Sequence, residues 1–214
     1  MTMGLTVENV GRPARSSPRG AATRSALLRA AAQVFRTVGF AKAGVNEVVT
    51  EAGASVGSLY HHFSGKADLF YALYEEFQQR QQDRTRRAAV EARDAGETDP
   101  TRLMNAAARA YLEGCIAERE TAWLFFRGDS PPGFESALRA RLREWTDRNV
   151  ALFRRAAQPV DDALLMVVSG AMLVAVGEVV ARDDLADARR LADGVIAVLA
   201  RLEAPAVTGP GAAG

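Results

Sequence analysis

Apolar residues recur at three- and four-residue intervals from Thr23 to Leu202, the period of a helix with one buried face, and no stretch of strand length alternates apolar with polar positions. Thr23 is placed to cap a first helix over residues 23–38, with Leu28, Ala31, Phe35 and Val38 on its buried face and Gly39 as its stop. A short helix is predicted over Val45–Ala52, with Val45, Val48 and Val49 inward and Gly53 as its breaker. Ser55 then caps another short helix to about Phe63, which buries Leu59 and Phe63 one turn apart. Gly65 opens a long helix to about Ala95, and Asp68 completes its capping pair. This helix begins apolar, with Leu69, Phe70, Leu73, Tyr74 and Phe77. It turns polar over residues 78–91, which reads as a solvated face.

The second half continues in the same period. Asp99 followed by Pro100 is a cap with proline at the first helical position, and Leu103, Ala107, Ala110, Tyr111 and Gly114 form the predicted inward stripe. A short aromatic segment over residues 123–126 ends at Gly128, and a loop over 129–132 leads to a helix with Phe134, Leu138, Leu142, Trp145, Asn149 and Leu152 on one face. Pro159 separates it from an apolar helix that starts near Asp161. Asp184, with Asp187 three residues on, caps a last helix whose stripe is Leu191, Val195, Val198 and Leu202. The chain therefore reads as all-α, about nine helices without an internal repeat. The ends differ: residues 1–20 and 204–214 lack periodicity and read as a disordered basic arm and a disordered tail.

Residues 163–177 carry no charge, which raises the question of a membrane span. A span needs about 20 apolar residues. This run stops at Glu178 and follows Asp161 and Asp162, so burial within protein is the reading. No secretory leader is read at the start, and the expected location is the cytoplasm.

Composition narrows the class. With 214 residues, 48% hydrophobic and 25% charged, the chain is a soluble globular protein rather than a disordered or collagen-like one. Its single cysteine, Cys115, excludes a disulfide framework and a multi-thiolate zinc site. The net charge of +1 hides an asymmetry: residues 1–66 hold eight bases and three acids, while residues 67–214 hold 19 bases and 23 acids. A basic end on an acidic remainder points to a polyanionic partner for that end.

The two short helices and the turn Ala52-Gly53-Ala54-Ser55 form a helix-turn-helix. In that arrangement the second helix lies in the major groove with its first residues at base edges. Its face carries Val56, Gly57, Ser58, Tyr60 and His61: two small residues that admit the backbone, and a ring with a hydroxyl. Lys66, in the first turn of the next helix, is placed to meet a phosphate with its ammonium and the neighbouring amides. His61 and His62 point about 100° apart on a helix, so they do not chelate a metal together, and no metal site or cofactor is expected. Arg12 and Arg15 read either as a minor-groove arm or as part of a solvated tail.

At this point a resemblance appears. Leu27-Leu28-Arg29-Ala30-Ala31, Phe35, Gly39-Phe40, Val45-Asn46-Glu47-Val48, Glu51-Ala52-Gly53-Ala54-Ser55, Gly57-Ser58-Leu59-Tyr60-His61-His62-Phe63 and Lys66-Ala67-Asp68-Leu69 resemble the DNA-binding domain of the tetracycline-repressor (TetR) family of bacterial regulators. The match covers under a quarter of the chain and is most specific over residues 57–69. It implies that Ser58, Tyr60, His61, His62 and Lys66 touch bases or phosphates, and Val45 and Ser55 complete the expected DNA-binding set. Two positions depart from the family. Gly44 stands where Thr or Ser is usual, which removes a hydroxyl–phosphate contact. Val56 stands where a long polar residue is common, leaving only apolar contact such as with a thymine methyl.

The resemblance further implies three units: a helix-turn-helix domain over residues 21–66, a helical ligand-binding and dimerisation domain over 67–203, and the two flanking tails. A mostly apolar effector pocket is expected among Met104, Ala107, Tyr111, Cys115, Trp123, Phe126, Trp145 and Phe153. A homodimer interface is expected from Met166, Ser169, Gly170, Leu173, Gly177, Leu191, Val195, Val198 and Leu202, with Gly170 and Gly177 letting a partner helix approach. The implied activity is ligand-responsive transcriptional regulation, most simply repression. A symmetric dimer reads a near-palindromic operator on double-stranded DNA and is released when a small, mostly apolar molecule tilts the long helix. Two other classes compete: a helical sensor without DNA binding, which Gly44 and Val56 favour, and an all-α enzyme. The inward faces carry no paired carboxylates, phosphate loop or nucleophile–base pair, so no catalytic residues are assigned.

Overall fold

The computed structural model describes residues 17–141 and 162–201, and all regular structure among the described residues is helical. Ser17 caps the first helix, α1 (Pro18–Val38): its hydroxyl accepts from the amide of Gly20 at 3.1 Å, and Pro18 fills the first helical position. This corrects the expected start at Thr23, which lies inside the helix and donates its hydroxyl to the carbonyl of Arg19. Residues 18–20, assigned to the arm, are the first turn. Ser-Pro is itself a start signal, hidden here in a stretch whose composition reads as tail. The buried face is Leu27, Leu28, Ala31 and Phe35, while Val38 lies at the surface.

The short helices α2 (Val45–Ala52) and α3 (Val56–His62) fall on their expected bounds. Then come α4 (Lys66–Asp94), α5 (Pro100–Ala117), α6 (Arg119–Phe126), helical residues 134–141 (α7), α8 (Asp162–Ala181) and α9 (Leu185–Leu199). Asp99 and Asp184 cap α5 and α9, accepting from the amides of Arg102 and Ala186 at 2.9 Å. α1, α2 and α3 pack together as a head whose base is α1 on α4. α4 runs on against α5, which packs on α8 and α9.

One aromatic cluster joins the two halves. Phe35 and Phe40 of the head meet Phe70 at 5.9 and 5.3 Å between ring centres. Phe70 meets Phe125 and Phe134 edge-on at 5.4 and 5.0 Å, and Tyr74 does the same at 5.2 and 4.9 Å. Edge-on pairs add about 0.5–1.5 kcal/mol each beyond burial, so the head is fused to the second half rather than hung from it.

Three expected faces shift. The polar stretch of α4 is not simply solvated, because Gln81 is fully buried against α5 and donates to Glu118 at 3.4 Å. Arg80 and Arg84 flank it and both pair with the Glu118 carboxylate. On α5 the buried line is Met104, Ala108, Leu112 and Cys115, one position on from Leu103, Ala107 and Tyr111, which are half-buried. On α9 the line facing the chain is Ala188, Ala192, Ile196 and Leu199, so Val198 stays exposed. No helix among the described residues is long and apolar enough to cross a membrane. Trp145, Asn149, Leu152, Phe153, Pro159, Leu142 and Leu202, together with residues 1–16 of the arm and the tail, lie outside the described residues.

Candidate nucleic-acid interface

The turn between α2 and α3 is built by local chemistry. Glu47 closes the start of α2 by accepting from the amide of Gly44 at 3.0 Å, while Val48 and Val49 bury its inner side. Gly53 ends α2 in the left-handed region, φ 59° and ψ 34°, where a side chain costs energy. Its neighbour Ala54 donates back to Val49 at 2.9 Å. The Ser55 hydroxyl accepts from the amide of Ser58 at 3.1 Å, so Ser55 acts as the cap of α3. Leu59 and Phe63, both buried, pin α3 to the core.

What remains of α3 faces outward. Val56 and Tyr60 lie one turn apart, and Tyr60 is 57% exposed. Gly57 and His61 form the neighbouring exposed row. Ser58 is half-buried beside its cap. His62 is half-buried with its ring edge-on to His61 at 4.9 Å, and Val45 packs half-buried against the core. The structure thus joins Val56, Gly57, Tyr60 and His61 on one accessible face, and gives Ser55 and Val45 structural tasks.

Lys66 departs most from expectation. Its ammonium donates to the carbonyls of Phe40, Ala41 and Ala43 at 3.0, 3.0 and 3.1 Å and sits 4.7 Å from the Phe40 ring centre. An ammonium has three protons. All three are spent on the turn between α1 and α2, so the side chain clamps the head instead of reaching a phosphate. Arg19, Arg29 and Lys42 remain on the head as exposed cations with no ion pair among the described residues. Lys42 lies in the turn entering α2, where no motif marks it and only the excess of bases over residues 1–66 includes it.

The other expected sites divide similarly. Met104 and Cys115 are buried, Ala107, Tyr111 and Phe126 are half-buried, and Trp123 is on the surface at 39% exposure. Burial pushes the Tyr111 hydroxyl and the Cys115 thiol well up from their usual values. Burial also pushes Tyr74 up to about 12, although Gln78 donates to its oxygen at 2.8 Å. These groups are neutral at ordinary pH, with Gln78 bonded to Tyr74 and the Arg84–Glu118 pair beside Cys115. On α8, Met166 and Val174 are 73% and 66% exposed, Gly170 is exposed, and Leu173 and Gly177 are half-buried. Leu191 and Val195 of α9 are half-buried. Ser169, assigned to the same face, is turned into the protomer.

An α-helical head that offers one short capped helix to solvent, braced on a larger helical body, defines a helix-turn-helix regulator of transcription. Residues 27–73 match the family described as bacterial regulatory proteins, tetR family. The transcriptional regulator AcuR of Cereibacter sphaeroides is 30% identical over 173 residues, 68% of this chain and 69% of that protein. The repressor BepR of Brucella suis is 37% identical over 59 residues, 28% of each chain. The solved structure of the fatty acid degradation regulator FadR from Bacillus halodurans superposes with a TM-score of 0.65 at 18% identity, covering 86% of this chain and 96% of that one. The chain belongs to the TetR family of bacterial transcriptional regulators.

Proposed function

We propose that the protein is a ligand-responsive repressor that binds a near-palindromic operator as a homodimer and releases it when a small, mostly apolar molecule binds within the helical body. The accessible face of α3 carries this reading: Val56, Gly57, Tyr60 and His61 are presented together, while Leu59 and Phe63 fix the helix from behind. Tyr60 supplies a hydroxyl and a ring to base edges, and Val56 an apolar surface for a thymine methyl. Lys42, Arg19 and Arg29 supply the phosphate charge expected of Lys66.

The apolar strip of Met166, Gly170 and Val174 on α8, with Val198 on α9, supports pairing with a second copy. Two copies of α3 would then enter successive major grooves roughly 34–36 Å apart. The neutral side chains of Met104, Tyr111 and Cys115 support a neutral ligand over a charged one. Repression rather than activation is the simplest use of such a dimer, and BepR is a repressor by name.

The test is selection of duplex DNA from a random pool by the purified, ligand-stripped protein, followed by sequencing. A palindromic motif with half-sites about one helical turn apart is the expected result. No enrichment by the folded protein would refute the operator reading and leave the body as a sensor.

A further inference from the structure

We propose that Arg127 and Asp129, in the loop after α6, are positioning residues for the DNA-reading head: they hold the turn between α1 and α2, and through it set the angle at which α2 and α3 meet the duplex. One Asp129 carboxylate oxygen accepts from the amide of Ala41 at 3.0 Å. The other pairs with Arg127 at 3.2 Å, and the same guanidinium nitrogen donates to the Phe35 carbonyl at the end of α1 at 2.9 Å. Among the described residues the buried Arg127 Nε has no hydrogen-bond partner, while the same guanidinium binds Phe35 and Asp129. The fit is close: Gly39 has φ 85°, and a Cβ there would collide with the Asp129 carboxylate. Lys66 grips the carbonyls of Phe40, Ala41 and Ala43 in the same turn. Residues 39–43 are therefore gripped by the first residue of α4 and by the loop after α6.

The far end of α6 is anchored as well. Arg119 donates to the carbonyls of Val180 and Asp183, at the end of α8, at 3.2 and 3.1 Å. Glu120 pairs with Arg36 of α1. α6 is eight residues long, too short to bend appreciably, and works as a strut from the end of α8 to the turn under the head. A shift of α8 or α6 reaches α2 and α3 through Asp129 and Arg127 without passing along α4. This rests on the proposed function only in what the head is positioned for.

The test is the distance between two spin labels in one chain, at Glu51→Cys on exposed α2 and Arg102→Cys on α5, diluted into unlabelled protein and read by double electron–electron resonance. Cys115 stays unlabelled because it is buried. Asp129→Ala and Arg127→Gln are expected to broaden the distance distribution at least twofold with helicity unchanged. Asp129→Asn, which keeps an acceptor for Ala41 but loses the charge, falls between. Arg139→Ala, which breaks the exposed pair with Glu135 on α7, leaves the width unchanged. Wild-type width in the Asp129 and Arg127 variants, or equal broadening in Arg139→Ala, overturns the proposal; if Asp129→Ala does not fold, Asp129→Asn decides alone. With DNA enriched by the wild type, the Asp129 variants bind at least tenfold more weakly while non-specific binding holds. If the wild type enriches nothing, the operator reading fails while the distance test still stands.

Discussion

Replacing Lys66 by methionine separates two accounts of the same residue. Met keeps the aliphatic stem and removes the ammonium, so the turn between α1 and α2 loses three charged donors. The Ala41 carbonyl is exposed and recovers a hydrogen bond from water, whereas the carbonyls of Phe40 and Ala43 are partly buried. Each hydrogen bond to a charged group is worth about 1.5–3 kcal/mol net, so the two sheltered ones amount to about 3–6 kcal/mol. Freeing the long side chain returns up to about 2 kcal/mol of entropy. The expected loss is thus about 1–4 kcal/mol, and a chain of this size drops by roughly 2–4 °C for each of those.

Thermal unfolding of Lys66→Met at fixed protein concentration should therefore show a Tm lower by roughly 2–16 °C. The slope of log affinity against log salt should not change, because no phosphate charge has been removed. An unchanged Tm together with a slope smaller by about 0.9 would mean that Lys66 neutralises a phosphate. That outcome would refute the clamp. Lys42→Ala is the converse control, with an unchanged Tm and the smaller slope.

Three further variants probe other links. Tyr60→Ala should weaken binding to the selected operator by about 1–3 kcal/mol, or roughly 5- to 150-fold, in a titration, with Tm and non-specific binding preserved, since its ring is in solvent. Gly53→Ala should cost about 1–2 kcal/mol in denaturant unfolding, from the positive φ alone, as nothing stands within 4 Å of the added Cβ. Glu118→Gln should flatten the acid limb of the stability curve. Burial alone would raise the Glu118 carboxyl, but Arg80 and Arg84 outweigh it and hold it below the usual range. The contribution is therefore present at neutral pH and lost as pH falls through the lowered value. Melting points measured downward from pH 6 should converge for the two proteins, and parallel curves would refute the assignment.

The sequence was most legible where one short stretch dictates its own geometry. Glycine stops, serine and aspartate caps and a hydrophobic pair one turn apart are local signals, and α2, α3, α5 and α9 begin where those signals stand. Faces were read less well. On α5 and α9 most residues are small or apolar, so several rows satisfy the helical period, and only the partner helices decide which row is buried. Gln81 is the sharper case. A glutamine in a run of Gln, Arg and Asp carries no local sign of burial. It is buried because Glu118, 37 residues away, draws Arg80 and Arg84 onto the surface of α5 and closes over it.

Lys66 and Asp129 follow the same logic for function. A lysine opening a helix beside a DNA-reading motif invites a phosphate, and nothing within ten residues says that three carbonyls of the preceding turn take all its protons. Asp129, in a loop of glycine, serine and proline, looks like punctuation. Its partner is the amide of Ala41, 88 residues earlier. The residues proposed to read bases are legible because they project from one short helix. The residues that aim that helix come from elsewhere in the chain, and their role exists only once the chain has folded. If the two grips on residues 39–43 set the aim, substitutions at Lys66 and Asp129 should add less than independently when combined, because both act on one turn. Full additivity in unfolding and in DNA affinity would mean that each holds something of its own.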